Sequence, residues 1–122
     1  MKRYMIVIGL TTLCLLLNAQ VPLETTPFWI SEVYSSTRDI SLGDIDNDGD
    51  LDLLVATEVG EDAIHMYYNL GSVFETFPSL IFPVNGAWSV AFGDVNNDGD
   101  LDLATAYSAF AGGSVMLYLN TG

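Results

Sequence analysis

Two stretches of this chain, GDIDNDGDLDLL at 43–54 and GDVNNDGDLDLA at 93–104, put an acidic or amide side chain at every second position. The first holds Asp44, Asp46, Asp48, Asp50 and Asp52; the second holds Asp94, Asn96, Asp98, Asp100 and Asp102. Two carboxylates 4 Å apart repel by about 1 kcal/mol even in bulk water, and by more near a protein surface. A fold built around such runs must leave them in solvent or offset the repulsion with positive charge. The chain supplies little of that, because its 3 basic residues are Lys2, Arg3 and Arg38, all outside the runs.

The likeness of the runs extends well past the acids. RDISLGDIDNDGDLDLLVAT (38–57) lies over WSVAFGDVNNDGDLDLATAY (88–107) without a gap, and after one extra residue IHMYYNLG (64–71) lies over VMLYLNTG (115–122). A period of about 50 residues is in the range of propeller blades and other repeated supersecondary units. Ile40 and Leu42 alternate with Asp39 and Ser41, and Val90 and Phe92 with Ser89 and Ala91, so the pattern predicts a strand before each run. LDLLVAT and LDLATAY, then IHMYY and VMLYL, predict the next two strands of each unit, with turns at Gly60, Gly112 and Gly113. A fourth strand of unit one is expected within residues 72–82, broken by Pro78.

The expected fold is all-β, with four-stranded antiparallel blades of a β-propeller and two partial repeats, about 28–77 and 78–122. The second unit stops before its last strand. Two blades cannot close a ring that needs typically 4–8 of them. The reading is therefore a fragment of a larger propeller, or copies that associate to cover open edges.

The first residues have a different character. Lys2 and Arg3 precede an apolar run from Met5 to Leu17, and Ala19 stands before Gln20. This is the order of a secretory signal peptide over residues 1–19, with residues 20–122 as the repeat region. An uncleaved anchor or a buried strand is the alternative, although the run is shorter than the ~20 apolar residues that span a bilayer. The one cysteine, Cys14, lies in this run, so the mature chain would have no disulfide. Leu13 just before it disfavours a lipoprotein cut. Removal of the leader leaves Arg38 alone against 16 acidic residues. Such a surface repels phosphate backbones and excludes nucleic acid as a partner, while it attracts cations.

Counted from its first aspartate, each loop has oxygen side chains at positions 1, 3, 5 and 9: Asp44, Asp46, Asp48 and Asp52, then Asp94, Asn96, Asp98 and Asp102. Gly49 and Gly99 fill position 6, where a tight calcium loop needs positive φ. Position 7, Asp50 or Asp100, would offer its backbone carbonyl with the side chain turned outward. Positions 2 and 8, Ile45 or Val95 and Leu51 or Leu101, would anchor the loop on the core. Ca2+ takes 6–8 oxygens at 2.3–2.6 Å, which alternate residues of a wrapped loop can supply; Mg2+ is the weaker candidate. A solvated acidic turn would explain one run, but not the same positions filled twice with glycine in register. An EF-hand would want a Glu at position 12, where Val55 and Thr105 stand, and a helix where apolar strands follow.

FGDVNNDGDLDLATA and LGDIDNDGDLDLLVA resemble the FG-GAP, or VCBS, repeats of integrin α-subunit propellers and many bacterial surface proteins, over residues 28–122. The resemblance implies four-stranded blades with the calcium loop between the first two strands, and the ligand positions named above. Phe92-Gly93 is present and softened to Leu42-Gly43, and the Gly-Ala-Pro part is not recognisable, so the match is closer to the bacterial repeats. Asn96, with one charge fewer than Asp46, predicts weaker binding in the second loop.

The implied function is a secreted or cell-surface, non-enzymatic module that uses structural calcium and binds a protein or glycan ligand, with adhesion favoured. Further propeller blades or self-association would complete it. The alternative is an accessory non-catalytic domain of a larger secreted enzyme. His65, on a predicted strand without a nucleophile motif, argues for no catalysis. Phe28, Trp29, Phe74, Phe77, Trp88 and Phe92 are expected in the core, with Trp29 or Trp88 as the candidates for an exposed rim. Tyr67, Tyr68, Tyr107 and Tyr118 are expected on strands with wet hydroxyls.

Overall fold

Each acidic run lies between two strands that pair with each other. The computed structural model describes residues 23–33, 36–58, 64–84, 86–109 and 112–122; the leader expected over 1–19 and the turn expected at Gly60 lie outside them. The elements are β1 (Thr37–Gly43), β2 (Asp52–Thr57), β3 (Ile64–Tyr67), β4 (Leu80–Phe82), β5 (Ala87–Gly93), β6 (Asp102–Ala109) and β7 (Gly112–Tyr118). They form two antiparallel sheets, β1-β2-β3-β4 and β5-β6-β7, and the described residues are all-β, as two blade-like units require. β4 follows Pro78, because a proline cannot donate to the ladder and the strand starts beyond it. Gly112 and Gly113, expected in a turn, instead open β7, opposite Ala109 and Ser108.

The two units repeat each other in register as well as in sequence. Gly43 pairs with Asp52 and Gly93 with Asp102, so each loop leaves and re-enters its sheet at the same rung. Each first pair also slips once, between Thr37 and Asp39 and between Ala87 and Ser89, positions that the repeat superposes.

Alternation assigns each strand two faces. In the first sheet Leu54, Ala56, Ile64 and Met66 share one face and are almost completely buried. They pack with Val84, Ala87, Val90 and Leu103 in a single core cluster, joined by the half-buried Ile45, Phe82, Phe92, Met116 and Tyr118. Burial of a Leu, Ile or Met side chain contributes about 1.5–3 kcal/mol, so this seam between the sheets is the main apolar contribution. The rings of Phe82 and Tyr118 meet across it at 5.1 Å. Gly43 is required there, since a Cβ would lie 2.6 Å from Cδ2 of Phe92 and 2.9 Å from Cδ1 of Leu101, whereas Gly93 faces open space.

Polar bonds fasten the same seam. Asp39 Oδ2 accepts from the Ser89 hydroxyl at 2.7 Å and from the Val90 amide at 3.1 Å. These two bonds, the hydroxyl foremost, hold the Asp39 carboxyl below its usual pKa. Arg38 pairs with Glu58 and sits 5.0 Å from the centre of the Trp88 ring.

Only one face of each sheet is covered by the other, and that corrects several expectations. Ile40 and Leu42 point to the open face of the first sheet and are 57% and 53% exposed, while their counterparts on β5, Val90 and Phe92, are buried and half-buried. Phe28, Phe77 and Trp88 are exposed rather than in the core. Phe28 and Phe77 lie outside the strands, and Trp88 leaves the apolar seam to stack on Arg38. Trp29 partly caps the open face of the first sheet, with its ring 5.4 Å from Tyr67 and from Phe74 and its Nε1 donating to the Glu75 carbonyl at 3.2 Å. Tyr67, expected to keep a wet hydroxyl, is only 2% exposed, and burial raises its pKa. His65 is buried on β3 beside Tyr67, edge to face.

Candidate metal centre

β1 ends at Gly43 and β2 starts at Asp52, so residues 44–51 must reverse direction in a short span. They do so by wrapping backbone amides around the first carboxylate. Asp44 Oδ1 accepts from the Asp48 amide and Oδ2 from the Gly49 amide, both at 3.0 Å. Asp46 Oδ1 shares the Asp48 amide at 3.2 Å, and Asp48 Oδ1 accepts from the Asp50 amide at 2.9 Å. Gly49 has φ 97° and Gly99 φ 99°, as the loop reading requires. Asn47 (φ 59°) and Asn97 (φ 61°) share that left-handed region, which asparagine tolerates better than other side chains.

The second loop repeats this scaffold. Asp94 accepts from the Asp98 and Gly99 amides at 3.1 and 3.0 Å, and Asp98 Oδ1 accepts from the Asp100 amide at 2.9 Å. One difference is chemical: Asn96 accepts from the Asp98 amide through Oδ1 and donates through Nδ2 to Asp98 Oδ2 at 2.7 Å. The amide thus occupies a carboxylate oxygen that Asp46 leaves open in the first loop.

In the first loop one oxygen from each of Asp44, Asp46 and Asp48 lies within 4.8 Å of the others. Ligands at 2.3–2.6 Å from a shared ion are no more than about 5 Å apart, so this group fits a hard divalent cation. Arg38 lies near the opposite end of β1 and offers the loop no counter-charge.

The position-9 aspartates are placed differently from the rest. Asp52 and Asp102 are 0% and 1% exposed. Asp52 Oδ2 accepts from the Ile45 amide at 3.0 Å and Oδ1 from the Asn69 amide at 2.8 Å. Asp102 does the same with Val95 at 2.9 Å and Asn120 at 2.8 Å. Each thereby clamps its loop to the segment after the third strand of its sheet. Burial raises the Asp52 pKa against the two amide bonds, with the charges of Asp46 and Asp48 adding to the rise.

Asp100, whose side chain was expected to turn outward, accepts from Asn47 Nδ2 at 2.8 Å and so joins the two loops. Asn120 Nδ2 adds a second link, to the Ile45 carbonyl at 3.0 Å. Ile45 and Leu101 tuck into the seam between the sheets, but Val95 and Leu51, also expected as anchors, are about half exposed because nothing among the described residues covers their side. Sequence reasoning missed Asn47, Asn97, Asn69 and Asn120. The available signal was asparagine recurring at matched positions of both units.

Beside the loops the seam opens into a cleft of about 400 Å3, lined by Met66, Tyr68, Phe82 and Tyr118 with Asp46 and Asp100. Two blade-like sheets, each with a carboxylate loop between its first two strands, define a tandem β-repeat protein. The chain belongs to the FG-GAP-like repeat family, whose model matches residues 44–105 and so takes in both loops. No curated protein and no solved structure matches the chain. No helix of the described residues is long and apolar enough to cross a membrane.

Proposed function

We propose that this chain is an exported calcium-binding repeat module, non-catalytic, that mediates extracellular recognition of a protein or glycan. The observation that carries the reading is the convergence of Asp44, Asp46 and Asp48 in a loop that lacks a basic neighbour among the described residues. Calcium there would supply the positive charge that the chain does not. Asp44, Asp46, Asp48 and the Asp50 carbonyl would hold it in the first loop, and Asp94, Asn96, Asp98 and the Asp100 carbonyl in the second. Asp52 and Asp102 would complete each set from the buried side through lone pairs left free by their amide bonds. The leader-like start of the chain and the family's extracellular members support export.

In this reading calcium is structural, and it holds the rim of the cleft that carries Tyr68 and Tyr118. Dissociation constants of about 0.1–1 mM, usual for extracellular modules, would stabilise the fold by about 0.4–1.4 kcal/mol per site at 1 mM calcium. For a domain of this size two such sites raise the melting temperature by roughly 3–20 °C. Calorimetric titration and thermal melts with and without chelator test it. Heat of binding at two sites and a chelator-induced fall in that range are expected; a melt indifferent to calcium, with no binding heat, refutes the reading.

A further inference from the structure

The two acidic loops hold each other on both their exposed and their buried sides. On the exposed side, Asn47 stands between Asp46 and Asp48, two of the three converging carboxylates, and its Nδ2 donates to Asp100 Oδ1 at 2.8 Å. Asp100 is position 7 of the second loop, the residue whose carbonyl is assigned to the second ion. On the buried side, two residues span the gap between Asp52 and Asp102, which are 0% and 1% exposed. The Asn120 amide donates to Asp102 Oδ1 at 2.8 Å, and its Nδ2 donates to the Ile45 carbonyl at 3.0 Å. The Ile45 amide in turn donates to Asp52 Oδ2 at 3.0 Å. Each link therefore ends on a residue that would hold an ion or adjoins one that does.

These links belong to the junction between the sheets rather than to each unit. Asn69, which the repeat superposes on Asn120, turns its Nδ2 onto the Leu51 carbonyl of its own loop, at 3.2 Å.

We infer that the two loops bind calcium cooperatively, with Asn47 and Asn120 as the positioning residues through which an ion in one loop raises the affinity of the other. The inference rests on the calcium reading proposed above. An ion on Asp46 and Asp48 fixes Asn47 between them, and with it the Asp100 segment that must present a carbonyl to the second ion. Asp52, once on the ion, fixes Ile45, which holds Asn120 and so Asp102. Ordering of these shared residues falls on the first ion, and the second meets a loop already in place. By linkage the effect is reciprocal.

Charge acts in the opposite direction. An ion in the first loop makes the surroundings of the second less negative, which weakens the attraction for a second ion. Salt screens that opposing effect beyond about 8 Å at physiological ionic strength. Positive cooperativity is therefore the signature of the hydrogen-bonded links and not of the shared acidity.

Calcium titration of the isotope-labelled full chain, followed by NMR, reads the loops separately, since the Gly49 and Gly99 amides donate to Asp44 and Asp94. Asp46→Ala should empty the first loop and leave its scaffold, because the Asp48 amide keeps Asp44 as acceptor. In otherwise wild-type protein it should raise the calcium midpoint of the Gly99 signal about fivefold, the low end of allosteric couplings. The charge left by an emptied loop would shift that midpoint the other way. With Asn47→Gly and Asn120→Ala both present, Asp46→Ala should leave the Gly99 midpoint unmoved. Glycine accepts the φ of 59° at position 47, and the main-chain amide at position 120 still reaches Asp102. Should the double variant not fold, Asn47→Gly alone should shrink the rise. A Gly99 midpoint that Asp46→Ala does not raise, or raises equally with and without the links, overturns the coupling while leaving calcium binding intact. Wild-type signals that ignore calcium altogether overturn the metal reading and the coupling with it.

Discussion

Asn96 differs from Asp46 by one charge and by one internal bond. Its amide donates to Asp98 Oδ2, which gives the second loop part of the compensation that an ion would otherwise provide. Asn96→Asp removes that donor and adds a carboxylate. We expect calcium affinity in the second loop to rise about five- to tenfold, since charge count is a main control of such sites. Asp46→Asn should lower the first loop by a similar factor, and calorimetry on both variants measures it. Equal affinities in all three proteins would mean that position 3 does not contact the ion. The alternating acids were legible as a loop because the oxygens at positions 1, 3 and 5 and the glycine at position 6 are local requirements. The clamp made by Asp52 and Asp102 was not, because its partners, Asn69 and Asn120, are 17 and 18 residues away.

At the level of strands, alternation told which residues share a face but not which face is covered. β1 and β5 carry equivalent patterns, yet Val90 is buried and Ile40 is exposed, because the second sheet presents to the first the face that the first sheet leaves open. Nothing in a single strand encodes which neighbour it meets. Asp39 shows the same effect: as a polar position of an alternating strand it reads as solvated, but it fastens β1 to β5. Its pKa is lowered from 3.8, so the ionised form stabilises the fold. That contribution is complete above the unfolded value and is lost as pH falls below it through the folded one. Asp39→Asn, which imitates the neutral form, should melt roughly 2–5 °C lower than wild type at pH 7. The difference should shrink as pH falls below the unfolded value and on through the lower, folded one. A gap that persists unchanged at the acid end would assign the effect to packing rather than to charge.

Over the whole molecule the balance is set by the excess of acid, 16 acidic residues against 3 basic ones, much of it gathered on two adjacent loops. Salt then acts with opposite sign in the two states of the loops. Without calcium the carboxylates of Asp44, Asp46 and Asp48, within 4.8 Å of one another, repel across water. Raising sodium chloride from 0.1 to 1 M shortens the Debye length from about 10 Å to about 3 Å, less than that spacing, and should raise the melting temperature in chelator. With 1 mM calcium present the dominant local interaction is attraction between ion and carboxylates. The same screening weakens it, so the melting temperature should stay level or fall. The two curves should converge as salt increases, since both approach a state in which loop charges no longer matter. If salt moved both curves upward in parallel, it would be acting on the apolar seam by exclusion from the surface, and loop electrostatics would have no measurable part in stability.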